Sequence, residues 1–121
     1  MHFKRVTIMV KDLEKSIYFY ERIAELKIIR RFKVGPGEIA FMANEAGETE
    51  IELVYMPGGN TLDCKGIVIC FETEKLDEVR KLTMDLKLNP SDIRNPDPQN
   101  RYFYVYDPDK MSIEFTEKMW T

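Results

Sequence analysis

The sequence predicts an α+β fold of two βαβββ modules, residues 1–60 and 61–121, sharing one sheet system and one core in a single domain. Three observations predict it. Each half runs strand, helix, then three strands; the halves repeat each other at a near-constant offset; and the junctions carry turn chemistry. Placing IELVY (51–55) on IEFTE (113–117) gives an offset of 62, and placing VTIMV (6–10) on IVICF (67–71) gives 61. A module of ~60 residues is marginal by itself, so the two are expected to bury a core together.

The first strand is read from Val6, Ile8 and Val10, which alternate with Arg5, Thr7 and Met9 and so pack one face. Asp12 then offers an N-cap, and Leu13, Ile17, Tyr20 and Ala24 form the stripe of an amphipathic helix ending near Leu26. Three strands follow, Lys27 to Val34, Glu38 to Ala43 and Thr49 to Met56, punctuated by Gly35-Pro36-Gly37, by residues 44–48 and by Pro57-Gly58-Gly59. In the second half, Gly66 to Phe71 reads as a strand, and Leu76, Val79, Leu82 and Leu86 as a second amphipathic helix. The segment NPSDIRNPDPQN has room for a short strand around Ile93, and RYFYVY and MSIEFTE are strands joined by the turn Asp107-Pro108-Asp109-Lys110.

Composition narrows the function classes. With 121 residues, 44% apolar and 32% charged, the chain is an ordinary globular domain. A net charge of -3 argues against a nucleic-acid binder, and the basic cluster Arg30-Arg31-Phe32-Lys33 reads as a solvated strand face. No apolar run approaches the roughly 18 residues of a membrane span, and MHFKRVTIMVKD lacks a signal h-region, so the cytoplasm is the expected compartment. Cys64 and Cys70 form no CxxC pair and are expected to be reduced structural thiols.

The segments VKDLEKSIYFY after the first strand, IELVY at the end of the first module and FYVYDPDKMSIEF at the end of the second together resemble the vicinal-oxygen-chelate superfamily, the group of glyoxalase I, bleomycin-resistance proteins and extradiol dioxygenases. The resemblance covers nearly the whole chain and implies a curved mixed sheet shared by the paired modules. One departure is the final turn, usually DPDG in the family and DPDK here.

Metal-dependent members hold a divalent ion in a cup, on ligands from the first and last strands of both modules. The resemblance places the last-strand ligands on Glu52 and Glu114, both present. It places the first-strand ligand on Arg5, seven residues before Asp12, and its counterpart on Gly66. Arginine offers donors only, and glycine has no side chain. His2 does not replace them, because its odd offset from Arg5 turns it to the opposite strand face. Arg5 is therefore expected to face Glu52 or Glu114, either holding a carboxylate ready as base or ligand anchor or forming a structural ion pair. Alternation puts Glu50, Glu52 and Val54 on the cup side, with Ile51 and Leu53 beneath the helix.

Thr7, Tyr102, Tyr104 and Tyr106 are the candidate ligand-binding residues, the three phenols sharing one strand face and suiting an aromatic or amphipathic guest. The expected function is binding of a small organic molecule in a cup lined by Glu52 and Glu114, without the usual metal; no cofactor is expected beyond a weakly bound divalent ion on those two carboxylates. The alternatives are a divalent-metal-dependent lyase or isomerase of lactoylglutathione lyase type, and a metal-free enzyme with Arg5, Glu52 and Glu114 as its catalytic groups. A homodimer is expected, with neither nucleic acid nor membrane as partner.

Overall fold

The computed structural model describes residues 1–59 and 66–118, and Cys64 lies outside them. The chain divides into two compact units, Met1–Asp63 and Cys64–Thr121. Unit 1 comprises β1 (Arg5–Met9), α1 (Leu13–Arg22), β2 (Lys27–Val34), β3 (Gly37–Ala43) and β4 (Glu50–Tyr55). Unit 2 comprises β5 (Val68–Thr73), α2 (Leu76–Asp85), β6 (Arg94–Asp97), β7 (Asn100–Tyr106) and β8 (Ser112–Glu117). The α+β class and the βαβββ order are as the sequence predicts. The ladders stay within each unit, so the mixed sheet is two four-stranded sheets, ordered β1-β4-β3-β2 and β5-β8-β7-β6.

Each sheet is mixed for the same reason. The last strand closes an antiparallel meander and lies parallel to the first, the helix supplying the crossover. In unit 1, Asp12 caps α1 by accepting from the Lys15 amide at 3.1 Å. The helix buries Leu13, Ile17 and Tyr20 against a sheet face that includes Ile8, Ala40, Met42 and Leu53. It stops at Arg22, a turn before the expected end, because Glu25 takes a left-handed φ of 59° and the Leu26 amide folds back onto the Tyr20 carbonyl at 2.9 Å. In unit 2, Leu76, Val79 and Thr83 of α2 are buried, as are Phe103, Ile113 and Phe115 of the sheet. Phe115 is stacked between Phe71 and Phe103, at centroid distances of 5.7 and 5.4 Å.

Each helix thus covers one face of its sheet, and most polar side chains of the central strands fall on the opposite face. The short strand expected around Ile93 forms one residue later, at Arg94. The final turn is held by Asp107, whose carboxylate accepts from the Asp109 and Met111 amides at 2.8 and 2.9 Å. Lys110, standing where the family usually has glycine, adopts φ 66°.

Candidate functional site

Ladder register decides which side chains meet on the helix-free faces. In unit 1, β1 and β4 pair with Arg5 opposite Glu50 and Thr7 opposite Glu52. The Arg5 guanidinium therefore binds Glu50, with Nε and Nη2 both 3.1 Å from one carboxylate oxygen. The expectation that Arg5 would pair with Glu52 or Glu114 is corrected: its partner is two residues upstream of Glu52 on the same face. Glu52 instead accepts from the Thr7 hydroxyl at 2.6 Å.

Arg30 completes the arrangement from β2, donating to both Glu50 oxygens at 2.9 and 3.2 Å. Its guanidinium carbon stands 4.0 Å from the Phe41 ring centroid, and that of Arg5 stands 5.2 Å from it. Glu50 is thus a buried carboxylate, its side chain 3% exposed, clamped by two half-exposed guanidinium groups that lean on one aromatic ring. Burial pushes its carboxyl upward, but the hydrogen bonds from Arg30 and Arg5, with the charges of Arg30 and Lys4, outweigh that and hold it below the ordinary value. Sequence reasoning missed Arg30 and Phe41, and the basic cluster is not merely a solvated face: Arg31 pairs with Glu38 and Glu14. The available signal was Glu50 itself, a second carboxylate two residues from Glu52 and hence on the same face.

In unit 2 the same face carries weaker acids. Cys70, Glu114 and Tyr104 lie in one row across β5, β8 and β7, with Glu72, Thr116 and Tyr102 in the next. The Cys70 sulfur is 3.5 Å from a Glu114 oxygen. Burial, then the charge of Glu114 and its hydrogen bond, push that thiol up to about 11. Burial, then the charge of Glu114 directly across the ladder, also raise the Tyr104 phenol. The Tyr102 and Tyr104 rings meet edge to face at 5.8 Å. Tyr106 shares their face but is 62% exposed.

The register also corrects the counterpart of Arg5. Thr7 faces Glu52 as Cys70 faces Glu114, so equivalent first-strand positions are 63 apart rather than 61. Arg5 then corresponds to Val68, not Gly66. The helix starts agree, since Leu13 and Leu76 bear the same relation. Gly66 precedes the strand with φ 89°.

Taken one by one, the family's ligand positions carry different chemistry here. Val68 has no donor, Arg5 is a cation bound to Glu50, and Glu52 is engaged by Thr7. Among the described residues of either unit, no three His, Cys, Asp or Glu side chains converge as a ligand set. What the faces offer is charge, hydrogen bonding and aromatic surface.

Comparison with known proteins agrees with this architecture. An uncharacterized protein of Bacillus subtilis (strain 168), YwbC, is 34% identical over 118 residues, which are 92% of this chain and 93% of that protein. Among solved structures, a glyoxalase family protein from Bacillus cereus superposes with a TM-score of 0.82 at 20% identity, covering 99% of this chain and 95% of its own. The trypanothione-dependent glyoxalase I of Leishmania major gives 0.79 at 23% identity, over 97% and 86% of the two chains. TnmS3, an antibiotic binding protein from Streptomyces sp. CB03234, gives 0.75 at 18% identity, over 98% and 97%. The family model for the Glyoxalase/Bleomycin resistance protein/Dioxygenase superfamily matches residues 2–115, and this chain belongs to that superfamily.

Proposed function

We propose that this protein binds a small organic molecule on the helix-free face of a sheet, without a tightly held metal. Arg5, Thr7 and Glu52 are the ligand-facing groups of the first module, and Glu114, Tyr102, Tyr104 and Tyr106 those of the second. The observation that carries the reading is the Arg5–Glu50 pair, at 3.1 Å: the family's first-strand ligand position holds a cation already bound to a carboxylate. The antibiotic-binding role named for TnmS3, a neighbour of the same fold, supports sequestration as an activity open to this architecture. Glu114, beside a thiol and a phenol that both stay protonated at neutral pH, serves as acceptor for a neutral donor group of the guest, away from any charge the guest carries.

A fragment screen by NMR in the presence of EDTA tests this. Saturable shifts at Thr7, Tyr102 and Tyr104 are expected. Ligand binding that appears only after adding nickel, zinc or manganese would instead establish the metal-dependent lyase or isomerase reading. We further propose a cytoplasmic homodimer, with Ile28, Phe32 and Val34 of β2 supplying exposed apolar surface. Sedimentation at micromolar concentration should give twice the monomer mass, and a monomer alone would contradict it.

A further inference from the structure

We propose that the second module holds a recognition site for a small aromatic anion in a cavity of about 420 Å³, with Arg94 as the charge partner. The inference deepens the small-molecule reading, and rests on it, by giving the guest a charge.

The cavity lies where β6 separates from β7. Ser91 is fastened to Tyr104 twice, its amide donating to the Tyr104 carbonyl and its hydroxyl accepting from the Tyr104 amide, both at 2.9 Å. Asn89, with φ 56°, turns the chain into this segment, and the β6–β7 register breaks between Arg94 and Asp97. Residues 89–94 therefore stand as a wall beside the tyrosine face.

Arg94 is the single charged side chain in the lining. It is exposed, its Cα pairs with Tyr102, and among the described residues no carboxylate forms an ion pair with it. Arg5, Arg30, Arg31, Arg80 and Arg101 each have an acidic partner, whereas Arg94, like Arg22 on α1, has none among the described residues, and of these two only Arg94 lines the cavity. Tyr104 and Tyr106 supply ring surface, and Asn89 and Ser112 hydrogen-bonding groups. Arg94 also acts on the Tyr104 phenol, opposing the upward push of burial and Glu114, so its charge reaches the ring that lines the cavity. Glu114, the carboxylate that would repel an anion, is not part of the lining.

A guanidinium beside phenol rings suits a guest with a planar apolar body and a carboxylate or phenolate: the fork pairs with the anion, and ring and guanidinium faces both stack. A volume near the lower part of the range for ligand pockets suits one or two fused rings.

The test titrates 2-naphthoate and its neutral isostere 2-naphthamide into the full chain with 13C-labelled tyrosine rings, following Tyr104 and Tyr106 by NMR. Naphthoate should bind saturably, naphthamide at least tenfold more weakly, and Arg94→Gln should abolish that preference while Arg94→Lys keeps part of it. Unchanged circular dichroism and thermal midpoints of the unliganded variants check that the fold survives. Equal binding of both probes, or an anion preference that persists in Arg94→Gln, would overturn the charged site while leaving the small-molecule reading intact. No binding of either probe would overturn the charged site, and the earlier EDTA screen then decides whether the general reading fails with it.

Discussion

The two helix-free faces start from one skeleton and do different things with it. In each module the first and last strands run parallel, and the last strand carries a Glu at the matching position, Glu52 or Glu114. On the first face the nearby charges neutralise one another: Arg5 and Arg30 hold Glu50, and Thr7 holds Glu52. On the second face the groups that Glu114 meets among the described residues are a thiol and a phenol, neither of which gives up its proton at neutral pH. The comparison teaches that one strand framework with a Glu on its last strand can be completed by cations that pair with the neighbouring carboxylate, or by weak acids that keep their protons.

The largest effect expected from this contrast is on stability. Replacing Glu50 with Ala leaves two guanidinium groups facing each other. Because both are partly exposed, we expect a cost of about 2 kcal/mol, below the 3–5 typical of a fully buried pair. Glu114→Ala should cost less than about 1 kcal/mol, since it removes only hydrogen bonds from neutral donors. Urea denaturation of both variants measures the difference, and equal losses would erase the distinction between the faces.

Acid should break the first face before the second. The Glu50 carboxyl lies below its ordinary value of 4.5 when folded, so its contribution is complete above that value and is lost as pH falls through the lower, folded one. Urea midpoints recorded from pH 7 to pH 3 should therefore fall less steeply below pH 4.5 in Glu50→Gln than in the parent. Parallel curves would show that the clamp contributes nothing to acid sensitivity.

A smaller effect concerns Cys70, best read in a Cys64→Ser background. Its thiol, at about 11, should react slowly with iodoacetamide at pH 8. Glu114→Gln removes one of the influences that raise it, burial being the larger, and should speed the reaction roughly several-fold. An unchanged rate would mean that Glu114 does not bear on the thiol.

The smallest effect is expected at Lys110, whose φ of 66° suits glycine. Lys110→Gly should raise stability by about 0.5 kcal/mol, the relief of left-handed strain being partly offset by greater freedom of the unfolded chain. A thermal melt showing loss of stability would mean that the lysine side chain contributes more than its backbone costs.

Periodicity was enough to read most of the fold. The alternation of Val6, Ile8 and Val10 and the stripe of Leu13, Ile17 and Tyr20 needed only the periods of strand and helix, and Asp12 announced the helix start. Cross-strand partners were harder because they depend on register. A two-residue slip leaves every side chain on its own face, so periodicity could not separate Gly66 from Val68 as the counterpart of Arg5. The spacing to Leu13 and Leu76 could have done so. Arg30 was out of reach for a different reason: the β2 ladder shifts register between Ile28 and Arg30, an irregularity that no alternation announces. The tyrosine face was legible because one uninterrupted strand carries all three phenols.

The central claim, that Arg5 bound to Glu50 stands where the family places a metal ligand, is tested most directly by calorimetric titration of the EDTA-treated protein with nickel, beside the Arg5→His, Val68→His double variant that restores a donor at each register-matched position. The parent should give no stoichiometric binding, and the variant should gain affinity. Tight one-to-one binding by the unmodified protein would contradict the account.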